Sequence, residues 1–198
     1  GIRKATFKLD FRKPLTAGAT AQPLTIDGKL AEPAWGAKAD AILPFTKTDV
    51  FIRHDADHLY LGVKRPAVVD RQGKTVAWSK TANGADAAVW EDDSWEVFLA
   101  DTGSDKVVHL GVSASGARYD ALIADPSAKS EDRKWNGAWT SAVTADDSGL
   151  TIEMAIPLKT LADAGLQKDQ LGVNFQINQK DISGEILKYN GGEGRNWK

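Results

Sequence analysis

Apolar and polar residues alternate along much of this chain, and period two is the signature of a β-strand, because successive side chains leave a strand on opposite faces. Ala5, Phe7, Leu9 and Phe11 against Thr6, Lys8 and Asp10 predict a half-buried strand over residues 5–11. A Pro-, Gly- and Thr-rich stretch over 13–23 predicts a loop, and 24–30 reads as a short strand turning at Asp27 and Gly28. Residues 31–35 form a compact turn that buries Trp35. Residues 49–53 and 58–64 predict two antiparallel strands, with Leu59, Leu61 and Val63 on one face and Tyr60 on the other. The stretch 65–88 has little periodicity and reads as a long loop, a frequent place for function.

Further strands are predicted over 94–99, 107–112, 117–123, 139–145, 150–156, 171–179 and 185–189. Pro157 is placed to open a short helix over 158–164 that Gly165 stops. About ten short strands, one helix and no internal repeat predict an all-β fold. The expected form is an antiparallel β-sandwich of jelly-roll or immunoglobulin-like type with long loops.

Composition narrows the function classes. One continuous composition over 198 residues suits a single domain spanning 1–198, and the start at Gly1 suggests a piece excised from a larger secreted protein. Lys and Arg total 25 against 27 Asp and Glu with no basic stripe, which argues against a nucleic-acid partner. No apolar run approaches the roughly 18 residues of a membrane-spanning helix. The absence of cysteine excludes disulfides and thiolate metal sites. Seven tryptophans are several times the usual share, and an exposed indole is a common ligand platform.

Chemistry concentrates in Val89-Trp90-Glu91-Asp92-Asp93-Ser94-Trp95-Glu96-Val97-Phe98-Leu99. Alternation puts Trp95, Val97 and Leu99 on one strand face, expected in the core, and Ser94, Glu96 and Phe98 on the other. Paired carboxylates at Glu91, Asp92, Asp93 and Glu96 invite a glycosidase reading. They are bunched on one segment, however, whereas a hydrolase needs two carboxyls on opposite sides of the scissile bond. No nucleophile triad, phosphate loop or His-rich metal motif is present, so the chain reads as non-catalytic.

Three stretches, in order, resemble the family 9 carbohydrate-binding modules and their wider sandwich superfamily. They are Leu24-Thr25-Ile26-Asp27-Gly28-Lys29-Leu30-Ala31-Glu32-Pro33-Ala34-Trp35; Val50-Phe51-Ile52-Arg53-His54-Asp55 and Leu59-Tyr60-Leu61, followed by Asp93-Ser94-Trp95-Glu96-Val97-Phe98; and Ile152-Glu153-Met154-Ala155-Ile156-Pro157 followed by Leu171-Gly172-Val173-Asn174-Phe175-Gln176-Ile177-Asn178. The resemblance implies a sugar, often the reducing end of a glycan such as a cellulose or xylan fragment, held between two tryptophans. Trp90, six residues before Glu96, matches the first clamp position, and Trp197 matches the second. Glu96 matches a carboxylate that hydrogen-bonds sugar hydroxyls. The family's next-strand arginine falls on His109, and the polar positions before the second tryptophan fall on Arg195 and Asn196, which match only in part. Trp78 and Trp135 are possible extensions of the site. The resemblance further implies an extracellular or periplasmic, monomeric module attached to a larger chain.

Other readings stay open at this stage. Related modules often hold structural calcium, for which Asp55 with Asp57, and Asp92 with Asp93 beside Asp86 and Glu91, are candidate ligands. Sandwich domains of the same superfamily also bind b-type haem, for which Met154 with His54, His58 or His109 would be the axial candidates. A third possibility is an interaction module with no small ligand.

Overall fold

A computed structural model of the protein describes residues 15–101, 105–125, 130–166, 170–180 and 186–190, the last of these as backbone. Its strands in chain order are β1 (Gly18–Ala19), β2 (Ala41–Leu43), β3 (Thr48–His54), β4 (His58–Pro66), β5 (Ser94–Asp101), β6 (Val107–Ser113), β7 (Arg118–Ile123), β8 (Thr140–Asp146), β9 (Gly149–Pro157), β10 (Leu171–Lys180) and β11 (Ile186–Asn190). Helix α1 (Leu158–Asp163) follows Pro157, and two 3₁₀ turns lie at Pro33–Trp35 and Val89–Glu91. The predicted strand over 5–11 lies outside the described residues.

The strands form two sheets. The first runs β1-β3-β4-β9-β8, with β2 also on β3; the second runs β11-β10-β5-β6-β7. Every pairing is antiparallel except the two-residue β1, which runs parallel to β3 inside what the sequence predicts as loop. The predicted all-β sandwich with one short helix is the observed architecture. Strand β2 is missed by periodicity because only Leu43 of its three residues is buried.

The main core lies between the sheets. Val50, Ile52, Leu61, Val63, Ile152 and Met154 of the first meet Trp95, Val97, Leu99, Leu110, Val112 and Ile177 of the second. A smaller core of Leu24, Trp35, Phe51, Tyr60 and Ala155 covers the outer face of the first sheet. Residues 24–30 are not the predicted strand. They cross that outer face, and the backbone N–H groups of Asp27, Gly28 and Leu30 donate to the Glu153 carboxylate at 2.7, 2.6 and 2.7 Å. A buried side chain thus takes the hydrogen bonds that a neighbouring strand would otherwise accept. Gly62 makes room for this cover, since a Cβ there would lie 2.4 Å from Leu30 Cδ2.

At one end of the sandwich, Arg65 crosses from β4 to the second sheet. Its guanidinium, 1% exposed, donates to Asp93 at 2.5 Å and to the Asn178 carbonyl at 3.1 Å. A buried ion pair of this kind joins the two layers at one register.

Candidate functional site

With the first sheet covered, the outer face of the second is the surface on which chemistry collects. Register decides its membership: Glu96 lies beside Gly111 on one side and Gln176 on the other, Ser94 beside Asn178, Phe98 beside His109, and Gly111 beside Tyr119. Directly paired residues share a face. Ser94, Glu96, His109, Tyr119, Gln176 and Asn178 therefore form one polar band across four strands. As the alternation predicts, Trp95, Val97 and Leu99 point the other way into the core.

Glu96 is the hub of the band. Its Oε1 accepts Gln176 Nε2 at 2.5 Å and Asn178 Nδ2 at 2.7 Å, and its Oε2 lies 2.8 Å from His109 Nε2. Asn178 also donates to Ser94 Oγ at 2.8 Å. Glu96 and His109 are each about 3% exposed. The imidazole stacks on Phe98, with ring centroids 4.0 Å apart, and its Nδ1 faces Glu131 Oε1 at 3.4 Å, an ion-pair separation rather than a good hydrogen bond. Burial by itself would lower the His109 pKa, but Glu131 and Glu96 outweigh it and hold the imidazole above its ordinary value. His109 thus sits buried between two carboxylates that favour its protonated form.

Trp90 reaches this band through the 3₁₀ turn Val89–Glu91. Gly111 leaves space for the turn to sit on the sheet, since a Cβ there would meet Val89 Cγ2 at 2.7 Å. The half-buried Trp90 ring meets Tyr119 at 5.1 Å and 83°. The Tyr119 hydroxyl donates to Glu131 at 2.6 Å, and the guanidinium of Arg133 lies 5.6 Å from the Trp90 ring centre and 5.9 Å from that of Tyr119. Trp90, Tyr119, His109 and Glu96 therefore form a continuous aromatic and polar run, Tyr119 also meeting His109 at 5.0 Å. Trp197, Arg195 and Asn196 lie outside the described residues.

Protein donors engage the calcium candidates Asp92, Asp93 and Asp55. Asp92 accepts the Ser79 hydroxyl, the Thr81 N–H and hydroxyl, and the Ala82 N–H. Asp93 accepts Arg65, Ser79 N–H and Lys180 N–H. Protein donors occupy oxygens that a cation would need, and they pin the long loop to the start of β5. Asp55 accepts the N–H groups of Asp57 and His58 and the Tyr60 hydroxyl, closing the β3–β4 turn; Tyr60 and the two N–H groups offset burial and bring its pKa down to about 2. Asp57 contributes its N–H to that turn rather than its carboxylate to a shared site with Asp55. Among the described residues no three His, Asp or Glu side chains gather at metal-binding distances.

The candidate haem ligands are dispersed over the fold. Met154 is fully buried between the sheets, whereas His109 lies on the far side of the second sheet. His54 ends β3 exposed, and His58 stacks on Tyr60 beside Asp55. Trp78 and Trp135 pack against the main core, Trp78 donating to the Asp146 carbonyl at 2.7 Å and lying under Arg65.

Five residues beside Glu96 and Trp90 go unmarked in the sequence: Gln176, Asn178, Tyr119, Glu131 and Arg133. Gln176 and Asn178 alternate with the core residues Phe175 and Ile177, a legible signal for an outer polar face. Glu131 and Arg133 sit in a loop without periodicity. An isolated bridge between Leu122 and Asp132 brings them to β7, and only the fold shows that.

Residues 26–198 match the family described as carbohydrate family 9 binding domain-like. Among curated proteins no sequence relative is found. Three solved structures share the fold. A protein of Bacteroides uniformis aligns with TM-score 0.61 at 14% identity over 88% of both chains. A family 9 carbohydrate-binding module of Caldicellulosiruptor kristjanssonii in complex with cellotriose aligns with TM-score 0.51 at 17% identity, covering 86% of this chain and 79% of that one. A family 9 module of the same organism in complex with glucose aligns with TM-score 0.53 at 18% identity, covering 87% and 82%. The family match spans most of the chain and agrees with the two-sheet fold: the protein belongs to the family 9 carbohydrate-binding modules.

Proposed function

We propose that the protein is a non-catalytic module that holds one sugar ring, at the reducing end of a β-glucan or xylan chain, against the outer face of its second sheet. Trp90 forms one wall, Glu96 with Gln176 and Asn178 forms the polar floor, and Trp197 is assigned the opposite wall by its place in the sequence. The observation that carries this reading is the polar band itself. Glu96 is satisfied by side-chain amides and an imidazole, groups that can exchange partners with sugar hydroxyls, beside a half-buried indole. The glucose and cellotriose complexes of the family modules with this fold support the ligand class. In this reading the module works outside the cell or in the periplasm, joined to a larger chain.

The energetics suit a two-wall slot. An indole covering about 100 Å² of a pyranose face contributes about 2.5 kcal/mol, and Trp90, already packed on Tyr119, contributes less than an open platform would. Micromolar affinity needs about 8 kcal/mol, so hydrogen bonds at the ring edge must supply much of the binding and all of the selectivity between epimers. Titrating glucose, cellobiose and xylobiose should shift tryptophan fluorescence and release heat. Trp90→Ala should abolish both, and reduction of cellobiose to its alditol should weaken binding strongly. If no member of a mono- and oligosaccharide panel produces heat or a shift, the sugar reading fails and an interaction module without a small ligand takes its place.

A further inference from the structure

His109, the basic side chain nearest Glu96, is stacked on Phe98 and turned with one nitrogen to each of two carboxylates. Arg133 is the opposite case. It is exposed, it forms no ion pair among the described residues, and its guanidinium lies in the corner between the perpendicular rings of Trp90 and Tyr119. Its backbone is held in place. Asp132 exchanges hydrogen bonds with Leu122 of β7 at 2.8 and 3.2 Å and accepts the Trp135 and Lys134 N–H groups, while Glu131 is tied to Tyr119. The loop thus presents one rotamer-rich cation from a fixed point at the rim of the polar band.

Resting on the sugar reading above, we propose that Arg133 is a specificity-determining residue: it donates from the rim to adjacent hydroxyls of a sugar stacked on Trp90. A guanidinium offers five N–H donors in a rigid fork and can bridge two vicinal oxygens, whereas both nitrogens of the buried imidazole beside Glu96 already face carboxylates. The same planar group also lies against the corner formed by half-buried Trp90 and buried Tyr119, so a ligand contact would redirect it from the rings. Discrimination then depends on vicinal hydroxyl stereochemistry at the ring edge that faces the β7–β8 loop. The floor residues read the opposite edge.

The test is calorimetric titration of wild type, Arg133→Met and Arg133→Lys with glucose and with its monodeoxy derivatives, together with the melting temperature of each protein. Because Arg133 is exposed, both variants should melt with the wild type. Arg133→Met should bind glucose roughly tenfold more weakly, the change expected when one charge-assisted hydrogen bond is lost, and Arg133→Lys should recover part of it. At least one deoxyglucose should bind wild type as weakly as Arg133→Met binds glucose, and the variant should lose nothing further on that sugar. Unchanged affinity of Arg133→Met for glucose would overturn the proposal while leaving the sugar site standing. Tighter binding would overturn it too, and would make Arg133 a cover over the indole. Losses that add for every deoxy sugar would remove the direct contact. If wild type binds no sugar at all, both the reading of the site and this proposal fall.

Discussion

The buried carboxylates of this protein fall into two groups that differ in what satisfies them. Asp92 and Asp93 are held by backbone N–H groups, hydroxyls and a buried guanidinium. Glu153, on the first sheet, is held by three backbone N–H groups. Among the described residues, Glu96 is held by side chains: two amides and an imidazole. A backbone donor cannot turn away without unfolding its segment, so the first set is committed to architecture. A side-chain amide can rotate toward a ligand, so Glu96 can serve binding while keeping its burial satisfied. The chemistry of the partners, rather than burial or acidity, separates the carboxylates locked into the fold from the one in the proposed sugar site.

The contrast predicts where stability and binding part company. The largest effect is expected at the Arg65–Asp93 pair. Arg65→Met strands a buried carboxylate and should cost about 3–5 kcal/mol, read as a lowered denaturation midpoint, with sugar affinity retained by whatever fraction stays folded. Next comes Glu153→Ala, which leaves three N–H donors of the 27–30 turn without an acceptor and should cost about 2–3 kcal/mol in chemical denaturation, again with unchanged affinity. An unstable Glu96→Gln variant with normal affinity would erase the distinction. The expected result is the reverse: a loss of about 1.5–3 kcal/mol in sugar binding by calorimetry and a smaller change in melting temperature.

A conformational test is Gly111→Ala. A methyl group there presses on Val89 at 2.7 Å, lifts the turn that carries Trp90, and should cost about 1–3 kcal/mol of stability along with part of the affinity. The smallest effect is in pH. The folded pKa of His109 is raised, so its contribution to stability is fully present below the unfolded value of about 6.5 and is lost as pH rises through the folded value. The stability gap between wild type and His109→Gln should therefore narrow on titrating upward from pH 6. A gap that widened would mean that His109 is neutral in the band.

Much of this molecule is legible in its residues, for reasons that differ by position. The alternation of Trp95, Val97 and Leu99 against Ser94, Glu96 and Phe98 is decisive, because a one-residue slip would drive a carboxylate into the core. The hairpins β3–β4, β6–β7 and β8–β9 announce themselves through polar turns between apolar runs. Residues 24–30 mislead. Their apolar pattern is real, but Leu24 packs on the outside of a sheet while the backbone is claimed by Glu153, more than a hundred residues away. Asp92 and Asp93 show how little local acidity says about a carboxylate's partners. Local acidity resembles a cation site until Arg65, Ser79, Thr81 and Lys180 arrive from distant parts of the chain.

The sequence by itself therefore determined the fold class and the strand faces, because these rest on local periodicity, and the family, because three ordered stretches resemble it; Trp90 and Glu96 were nominated through that resemblance. The tertiary structure alone decided which carboxylates are locked and which one is served by exchangeable side chains. It also turned His109 inward and brought Arg133 to the rim. Those outcomes depend on pairings between segments far apart in the chain, where register and loop anchoring, rather than local propensity, set which groups meet.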